Sequence, residues 1–264
     1  MKIATWNINS VRLRAGLVVK LINECEPDII CLQETKCPPG QFPSSTFSDH
    51  GYPYIADNGF TGHHGVAIVS RLPFDHSEIH TFCGKNDGRH ISIKPSGTNI
   101  TVHSLYVPSG GDEPDPDLNE KFSHKLQFLE EMQGWIKSHA DITNQDHVFT
   151  GDLNVAPLEN DVWSHKQLLK VVSHTPVETQ SLLKIMEHAN IHDPIRAAIP
   201  EPEKIYSWWS YRSRDWEVAN KGRRLDHIWV TPGLSQRCKN PKILKNARGW
   251  DRPSDHVPVI IEIL

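Results

Sequence analysis

The stretch "GVAIVSRLPFDHSEIHTFCGKNDGRHISIKPSGTNITVHSLYV", residues 65–107, decides the fold class. It holds four β-rich runs, "GVAIVSR", "FDHSEIHTF", "RHISIKP" and "NITVHSLYV", parted by Gly, Pro or Asn. Those residues break regular structure, and β-branched runs between them read as strands. No run with helical spacing lies between them. A repeated βαβ unit, which needs a helix at every crossover, is therefore excluded. The pattern fits an α+β chain with mixed sheets packed face to face and helices outside.

Outward from this stretch, "KIATWNI" (2–8) and "DIICLQE" (28–34) read as buried strands. "SVRLRAGLVVKLINEC" (10–25) between them has helical apolar spacing at Val11, Ala15, Val18, Val19 and Ile22, with Ser10 as cap and Pro27 as stop. "LNEKFSHKLQFLEEMQGWIKSHA" (118–140) is the longest helical pattern and "TQSLLKIMEHAN" (179–190) a shorter one. "DHVFTGDLN" (146–154), "RRLDHIWV" (223–230), "KILKNA" (242–247) and "VPVIIEIL" (257–264) complete the strands. No linker, low-complexity tract or strong repeat divides the chain, so residues 1–264 are expected to form one domain. "TWNIN" and "TGDLN" give a faint internal echo, each ending an apolar strand on polar residues.

With 38% hydrophobic and 23% charged residues the chain can bury a sizeable core. The amino terminus lacks a signal-type apolar stretch, and no apolar run approaches the ~20 residues that span a bilayer. Five cysteines, none in CxxC, read as reduced thiols in a cytoplasmic protein. The sixteen histidines are scattered and suggest no zinc site. A net charge of −4 argues against a nucleic-acid partner, but its distribution does not: Lys204–Arg252 carries 12 Lys/Arg against 4 Asp/Glu. Such segregation suits a polyanion on one side and cations on another.

Polar groups gather where strands end: Asn7 and Asn9, Gln33 and Glu34, Tyr106 and Ser109, Asp152 and Asn154, Asp226 and His227, Asp255 and His256. One such residue is unremarkable, since strand ends border solvent. Together they make an oxygen-rich set suited to a hard cation such as Mg²⁺. "SDH" (254–256) invites a serine-hydrolase reading. In an extended segment, however, Asp255 points away from Ser254 and His256, so no relay runs through the three.

"ATWNIN", "LQETK", "GDLNVAP", "RLDHI" and "SDHVP", in this order and with "GHHGVAI" and "SWWSYRS" between, resemble the exonuclease III branch of the apurinic/apyrimidinic (AP) endonucleases. That branch belongs to a wider group of metal-dependent phosphodiesterases. The resemblance runs from Met1 to Leu264. It implies a four-layer αββα sandwich, two mixed β-sheets flanked by helices. It implies a likeness in activity: incision of DNA 5′ to abasic sites and 3′–5′ trimming of duplex ends. Mg²⁺ would be the cofactor, with Mn²⁺ as substitute. Glu34 would be the principal metal ligand, with Asn7 beside it, Asp255 adding a carboxylate, and Asp152, Asn154 and His256 close to the ion. Asp226 would hold His256, Asp152 would orient or deprotonate water, and Asn154 would bond phosphate or water. Tyr106 would steady developing charge. Ser254 would be a local hydrogen-bonding group.

The aromatic–basic segment "IYSWWSYRSRDWEVANKGRRLDH" (205–227) suits a nucleic-acid surface. By similarity Trp208 or Trp209 would line a pocket for an extruded abasic sugar, with Leu225 beneath. Tyr211, Arg212 and Arg223 would join the DNA contact, and Arg89 would meet phosphate. Some relatives carry an aromatic or aliphatic residue where this chain has Arg223, which alters the pocket. The expected partner is double-stranded DNA with abasic sites or recessed or damaged 3′ ends, bound by a monomer without a membrane. The competing readings are another phosphodiesterase of the group, such as a DNase I-like enzyme, a phosphoinositide phosphatase or a sphingomyelinase, and a non-catalytic nucleic-acid-binding module.

Overall fold

A computed structural model describes residues 1–141 and 145–264. Along the chain run β1 (Lys2–Asn7), α1 (Val11–Cys25), β2 (Ile29–Gln33), α2 (Ser44–Ser48), β3 (Tyr54–Asn58), β4 (Val66–Ser70), β5 (Phe74–Glu78), β6 (His90–Pro95) and β7 (Ile100–Tyr106). Then come α3 (Glu120–Ala140), β8 (Asp146–Asp152), α4 (His165–Leu168), α5 (Pro176–His188) and α6 (Pro194–Ala198). The last part holds β9 (Trp208–Trp209), α7 (Trp216–Ala219), β10 (Gly222–Arg223), β11 (Asp226–Val230), α8 (Pro232–Ser235), β12 (Cys238–Ile243) and β13 (Val259–Ile263).

Two mixed sheets form, ordered β12-β13-β1-β2-β4-β3 and β11-β8-β7-β6-β5, with β10-β9 as a separate ribbon. Side-chain alternation explains the layering. Ile3, Ile29, Ile68, Ile91, Val102, Val148, Ile228 and Ile261 point inward and fill the space between the sheets. Ala4, Trp6, Ile30 and Leu32 point outward onto Val11, Val18, Leu21 and Ile22 of α1. Leu105, Phe149 and Trp229 point outward from the second sheet onto Phe128, Leu129, Met132 and Ile136 of α3 and Leu182 and Ile185 of α5. The result is the αββα sandwich that the strand-rich middle segment and the family resemblance led us to expect.

Among the described residues each sheet has a single parallel pair, β1 with β2 and β7 with β8, and every other pairing is antiparallel. Taken from β13 to β3 and from β11 to β5, the two sheets repeat the same sequence of strand directions. β1 and β8 thus hold matching places, and "TWNIN" and "TGDLN" lie at the ends of those two strands. The matching strands do not follow in the same chain order, so a simple tandem copy is excluded.

Local readings needed correction in several places. Ser10 does not cap α1: its φ of 84° and ψ of 98° turn the hydroxyl away, and no side-chain cap bond forms. "KILKNA" is only partly a strand, because β12 ends at Ile243 and Lys245–Gly249 coils into a 3₁₀ turn. β3 and the β9–β10 ribbon were not anticipated, since their stability comes from pairing with β4 and with each other. All five cysteines are free.

A buried ion pair ties the outer helices to the upper loops. Lys125 of α3 and Glu178 of α5 are both fully buried, with Nζ 2.5 Å from Oε1. The same ammonium donates to the carbonyls of Ser109 (3.3 Å) and Asn154 (2.8 Å). Glu178 also accepts from the Ser173 and Thr175 backbone and from the Thr175 hydroxyl. A charge buried this deeply is tolerated only while its partner remains. Lys125→Met should therefore lower stability by about 3–5 kcal/mol, because it strands the Glu178 carboxylate. A urea midpoint equal to that of the parent chain would show the pair to be dispensable.

Candidate active site

Strand direction dictates where the polar ends meet. β1 and β2 run parallel, so Asn7 and Gln33 finish side by side, with Glu34 one residue beyond. β7 and β8 run parallel, so Tyr106 and Asp152 finish side by side. β11 is antiparallel to β8 and starts at that end, with Asp226 opposite Asp152. β13 is antiparallel to β1, which brings the segment before it, Ser254–His256, to the same edge.

Across the gap between the sheets, Asn7 Nδ2 donates to Glu34 Oε1 (3.0 Å) and to Asp152 Oδ2 (2.9 Å). Its Oδ1 accepts from the Asn9 backbone N–H at 3.1 Å. Tyr106 donates its hydroxyl to Glu34 Oε1 at 2.8 Å, and Lys36 Nζ lies 2.9 Å from Glu34 Oε2. Asn154 donates through its backbone N–H to Asp152 Oδ1 (2.9 Å) and through its amide to Asp152 Oδ2 (3.2 Å) and the Val107 carbonyl (2.9 Å). Asn9, Glu34, Lys36 and Asn154 all hold φ between 46° and 52°. Non-glycine residues rarely adopt this left-handed conformation, and here it bends the chain sharply as each strand leaves its sheet.

His256 Nδ1 lies 2.8 Å from Asp226 Oδ2, and Nε2 lies 3.7 Å from Asp152 Oδ2. The imidazole thus takes its acid from β11, and Asp255 takes no part in that bond. Burial disfavours a charged His256, but Asp226 and then Asp152 outweigh it and raise its pKa well above the usual imidazole value. Burial pushes Asp152 up, and His256 opposes part of that rise. Burial, Glu34 and Asp152 together keep the Tyr106 phenol protonated. Ser254 is buried, and its hydroxyl is spent on the Asn7 carbonyl (2.7 Å) and the His256 backbone N–H (3.2 Å), so it is no nucleophile.

The anticipated metal-binding set divides in two. Asp152, Asp226 and His256 offer ligand atoms within 4.8 Å of one another, but two of them are bonded together. Glu34 and Asp255 lie outside that group. Both Asp255 oxygens are engaged, Oδ1 by Asn9 Nδ2 (3.1 Å) and Oδ2 by Trp208 Nε1 (2.9 Å). Asn7 and Asn154 turn their amide nitrogens toward carboxylates, which is the orientation of donors rather than ligands. Glu34 and Asp152 approach one amide nitrogen from two sides, which brings two hard oxygen donors together. That donor chemistry fits a small hard divalent cation and not a thiophilic one.

Beside these groups opens a cleft of about 520 Å³ lined by Glu34, Asn154, Trp208, Arg212, Arg223 and Leu225, among others. Trp208 forms its wall and Leu225, 4% exposed, its floor. Arg223 lies over the Trp208 ring at 5.2 Å and donates to the Val172 carbonyl and the Ser173 hydroxyl. Trp209 is not in the cleft. Alternation along β9 sends it into the outer core of the first sheet, 2% exposed and packed on Tyr206 and Trp216. Tyr211 is half exposed, and its hydroxyl donates to the Pro253 carbonyl. Arg89 is buried under the Tyr106 ring and donates to the Tyr106 carbonyl and to Asp87, so it braces the phenol.

The basic stretch 204–252 does not form one face. Arg224 is buried against Asp161 and Asp193, Arg248 bonds the Trp209 carbonyl, and Arg237 pairs near Asp146 at the far end of β8. Arg212, Lys221 and Arg223 are the cations of this stretch that line the cleft. The roles of Lys36 and Asn9 were missed from the sequence. Lys36 also donates to Asn9 Oδ1 at 2.7 Å, which joins Glu34 to Asp255 through two side chains. Its place two residues after Glu34 was the only available signal.

The comparisons with known proteins agree with this geometry. Residues 4–256 match the Endonuclease/Exonuclease/phosphatase family. The chain is 28% identical to the exodeoxyribonuclease III of Haemophilus influenzae, with 99% of each chain covered. It superposes on an AP endonuclease from Archaeoglobus fulgidus with a TM-score of 0.90 and 32% identity, covering 100% of this chain and 99% of that one. It superposes on the 3′ phosphatase NExo from Neisseria, bound to a product DNA hairpin, with a TM-score of 0.91 and 28% identity over the same shares. A match over nearly the whole chain, on a fold whose strand ends gather these carboxylates and this imidazole, places the chain in the Endonuclease/Exonuclease/phosphatase family.

Proposed function

We propose that the protein is a metal-dependent DNA-repair phosphodiesterase that incises duplex DNA 5′ to abasic sites and trims recessed or damaged 3′ ends. The observation that carries this reading is the joining of the two sheets at one point. Asn7 bridges Glu34 and Asp152, and His256, held by Asp226, faces the same Asp152. The cleft beside it is walled by an aromatic ring and lined by cations. The sequence likeness to enzymes named for exonuclease and AP endonuclease activity supports DNA over a phospholipid or inositol substrate. No helix among the described residues is long and apolar enough to cross a membrane.

Glu34 would hold Mg²⁺, with Asp152 and Asp255 as neighbouring carboxylates and Mn²⁺ as a substitute. The ion would neutralise the diester and stabilise the departing 3′ oxygen. Asp152, fixed by the Asn154 backbone N–H on Oδ1 and facing His256 through Oδ2, orients the attacking water and takes its proton. His256, kept cationic by Asp226, donates toward a phosphate oxygen. Asn154 and Tyr106 fix the water and the phosphate from either side. Trp208 and Leu225 give an extruded sugar an apolar wall and floor, with Arg223 as a charged side wall.

Glu34→Gln should lower abasic-duplex cleavage by at least about a hundredfold, the usual scale for losing a group that organises charge in the transition state. Thermal stability should hold, and excess Mg²⁺ should restore part of the activity. Full turnover at low Mg²⁺ would refute the ligand role. His256→Ala and Asp226→Asn should each lose about a hundredfold or more. The double variant should be little worse than the poorer single one, because groups acting as a unit are not additive. Losses that multiply in single-turnover assays would separate the two residues.

Binding isotherms at several salt concentrations test the cleft. Arg212→Gln and Lys221→Gln should each flatten the dependence of log K on log salt by about one unit. Trp208→Ala should lower the preference for abasic over intact duplex with an unchanged slope, because a ring releases no counterions. If the cationic variants keep the parental slope, these side chains do not track phosphate.

A further inference from the structure

On the face turned away from the inter-sheet core, the second sheet carries a row of imidazoles. His90 on β6, His103 on β7 and His147 on β8 point away from the inter-sheet core, under the end of α3 that bears Trp135 and His139. The rings are hydrogen-bonded in series. His90 Nε2 lies 3.1 Å from His103 Nδ1, and His103 Nε2 lies 2.9 Å from His147 Nδ1. All three are at most 2% exposed. Burial is the main cause that lowers their pKa values, to about 3 for His90, about 4 for His147 and well below the usual value for His103. Each ring is therefore neutral and carries one N–H.

One fixed donor sets every proton in the row. The backbone N–H of His80 donates to His90 Nδ1 at 3.0 Å. A backbone N–H cannot accept, so His90 Nδ1 is bare and its proton is on Nε2. That proton is donated to His103 Nδ1, which leaves the His103 proton on Nε2. Donation to His147 Nδ1 then leaves the His147 proton on Nε2. This last N–H is buried and has no acceptor among the described residues. A buried donor left unmet is destabilising, so an acceptor at this point would recover stability.

His147 lines a cavity of about 480 Å³, a size typical of small-molecule sites. Its apolar and ring walls are Trp135, Ile79 and Ile93, with the imidazoles of His80, His90 and His103. Lys94 supplies positive charge, His76, His139, Thr101 and Gln145 supply further polar groups, and Glu78 is the one carboxylate in the lining. Among the described residues no set of three ligand atoms here is close enough to hold a metal ion.

We propose that this cavity binds a small organic oxyanion, with one oxygen accepting from His147 Nε2–H, Lys94 balancing its charge, and the Trp135 and histidine rings covering its carbon skeleton. Carboxylates and phosphates share the chemistry that the row of imidazoles selects. The site is separate from the DNA cleft and does not depend on the nuclease reading.

Nitrogen-15 NMR of the imidazoles in the full chain reads the site directly, with benzoate and inorganic phosphate as probes and chloride as the ionic-strength control. The His147 Nε2–H signal should be present before addition and should move saturably with benzoate, and more weakly or equally with phosphate. His147→Phe should weaken binding at least about tenfold, the equivalent of a hydrogen bond to a charged group. Lys94→Gln, a surface change that leaves the fold alone, should weaken it in the same direction. Abasic-duplex cleavage should be unchanged in both. A proton on His147 Nδ1, absence of a saturable shift with either probe, equal shifts in the Lys94→Gln protein, or a response to Zn²⁺ and not to the oxyanions would each overturn the proposal.

Discussion

One amide group links the two halves of this molecule at its working edge. Asn7 Nδ2 bonds a carboxylate from its own sheet, Glu34, and one from the facing sheet, Asp152. Like charges repel, the more so with Asp152 buried, and a shared donor lets both carboxylates remain close. Everything else at the edge is arranged around that pair. Tyr106 and Lys36 satisfy Glu34, while Asn154 and His256 satisfy Asp152. The polar network is thus continuous from β2 to β11, and each member is positioned by at least one other.

The supporting layers serve the same purpose. Lys125 binds the carbonyls of Ser109 and Asn154 and is neutralised by Glu178, so α3 and α5 hold two site loops from behind. Arg89 braces Tyr106 from below, and Ser254 joins the Asn7 carbonyl to the His256 backbone. Rigid elements and buried hydrogen bonds hold side chains far more closely than loops alone. Left-handed backbone at Asn9, Glu34, Lys36 and Asn154 is stored strain of the kind that surrounding structure must over-determine.

The arginines show how burial redirects charge. In the sequence, Arg223 and Arg224 are neighbours in a basic run. In the fold, Arg223 lines the cleft over Trp208, while Arg224 is buried between Asp161 and Asp193. The two-residue period of β structure sends adjacent side chains to opposite faces. Trp208 and Trp209 divide in the same way, one into the cleft wall and the other into the core. A count of charges or rings along the chain therefore overstates the surface available to a polyanion.

The sequence by itself determined the layer architecture and which reactive residues stand at the strand ends. Residues 65–107 contain strands in direct succession, which only an antiparallel or mixed sheet can accommodate, and apolar alternation fixes which faces meet. The blocks around Glu34, Asp152, Asp226 and His256 were legible because reactive residue types stand at strand ends in a recognisable order. Partnership was decided only by tertiary structure. That His256 bonds Asp226 follows from strand directions that bring β11 and β13 to one edge, and the resemblance had implied it where spacing could not. That Lys36 and Asn9 complete the carboxylate network, that Asp255 is held by Trp208, and that three histidines separated by up to 57 positions form one hydrogen-bonded row were not legible. These contacts join residues remote in sequence, and local propensity and periodicity carry no information about which strands will be neighbours.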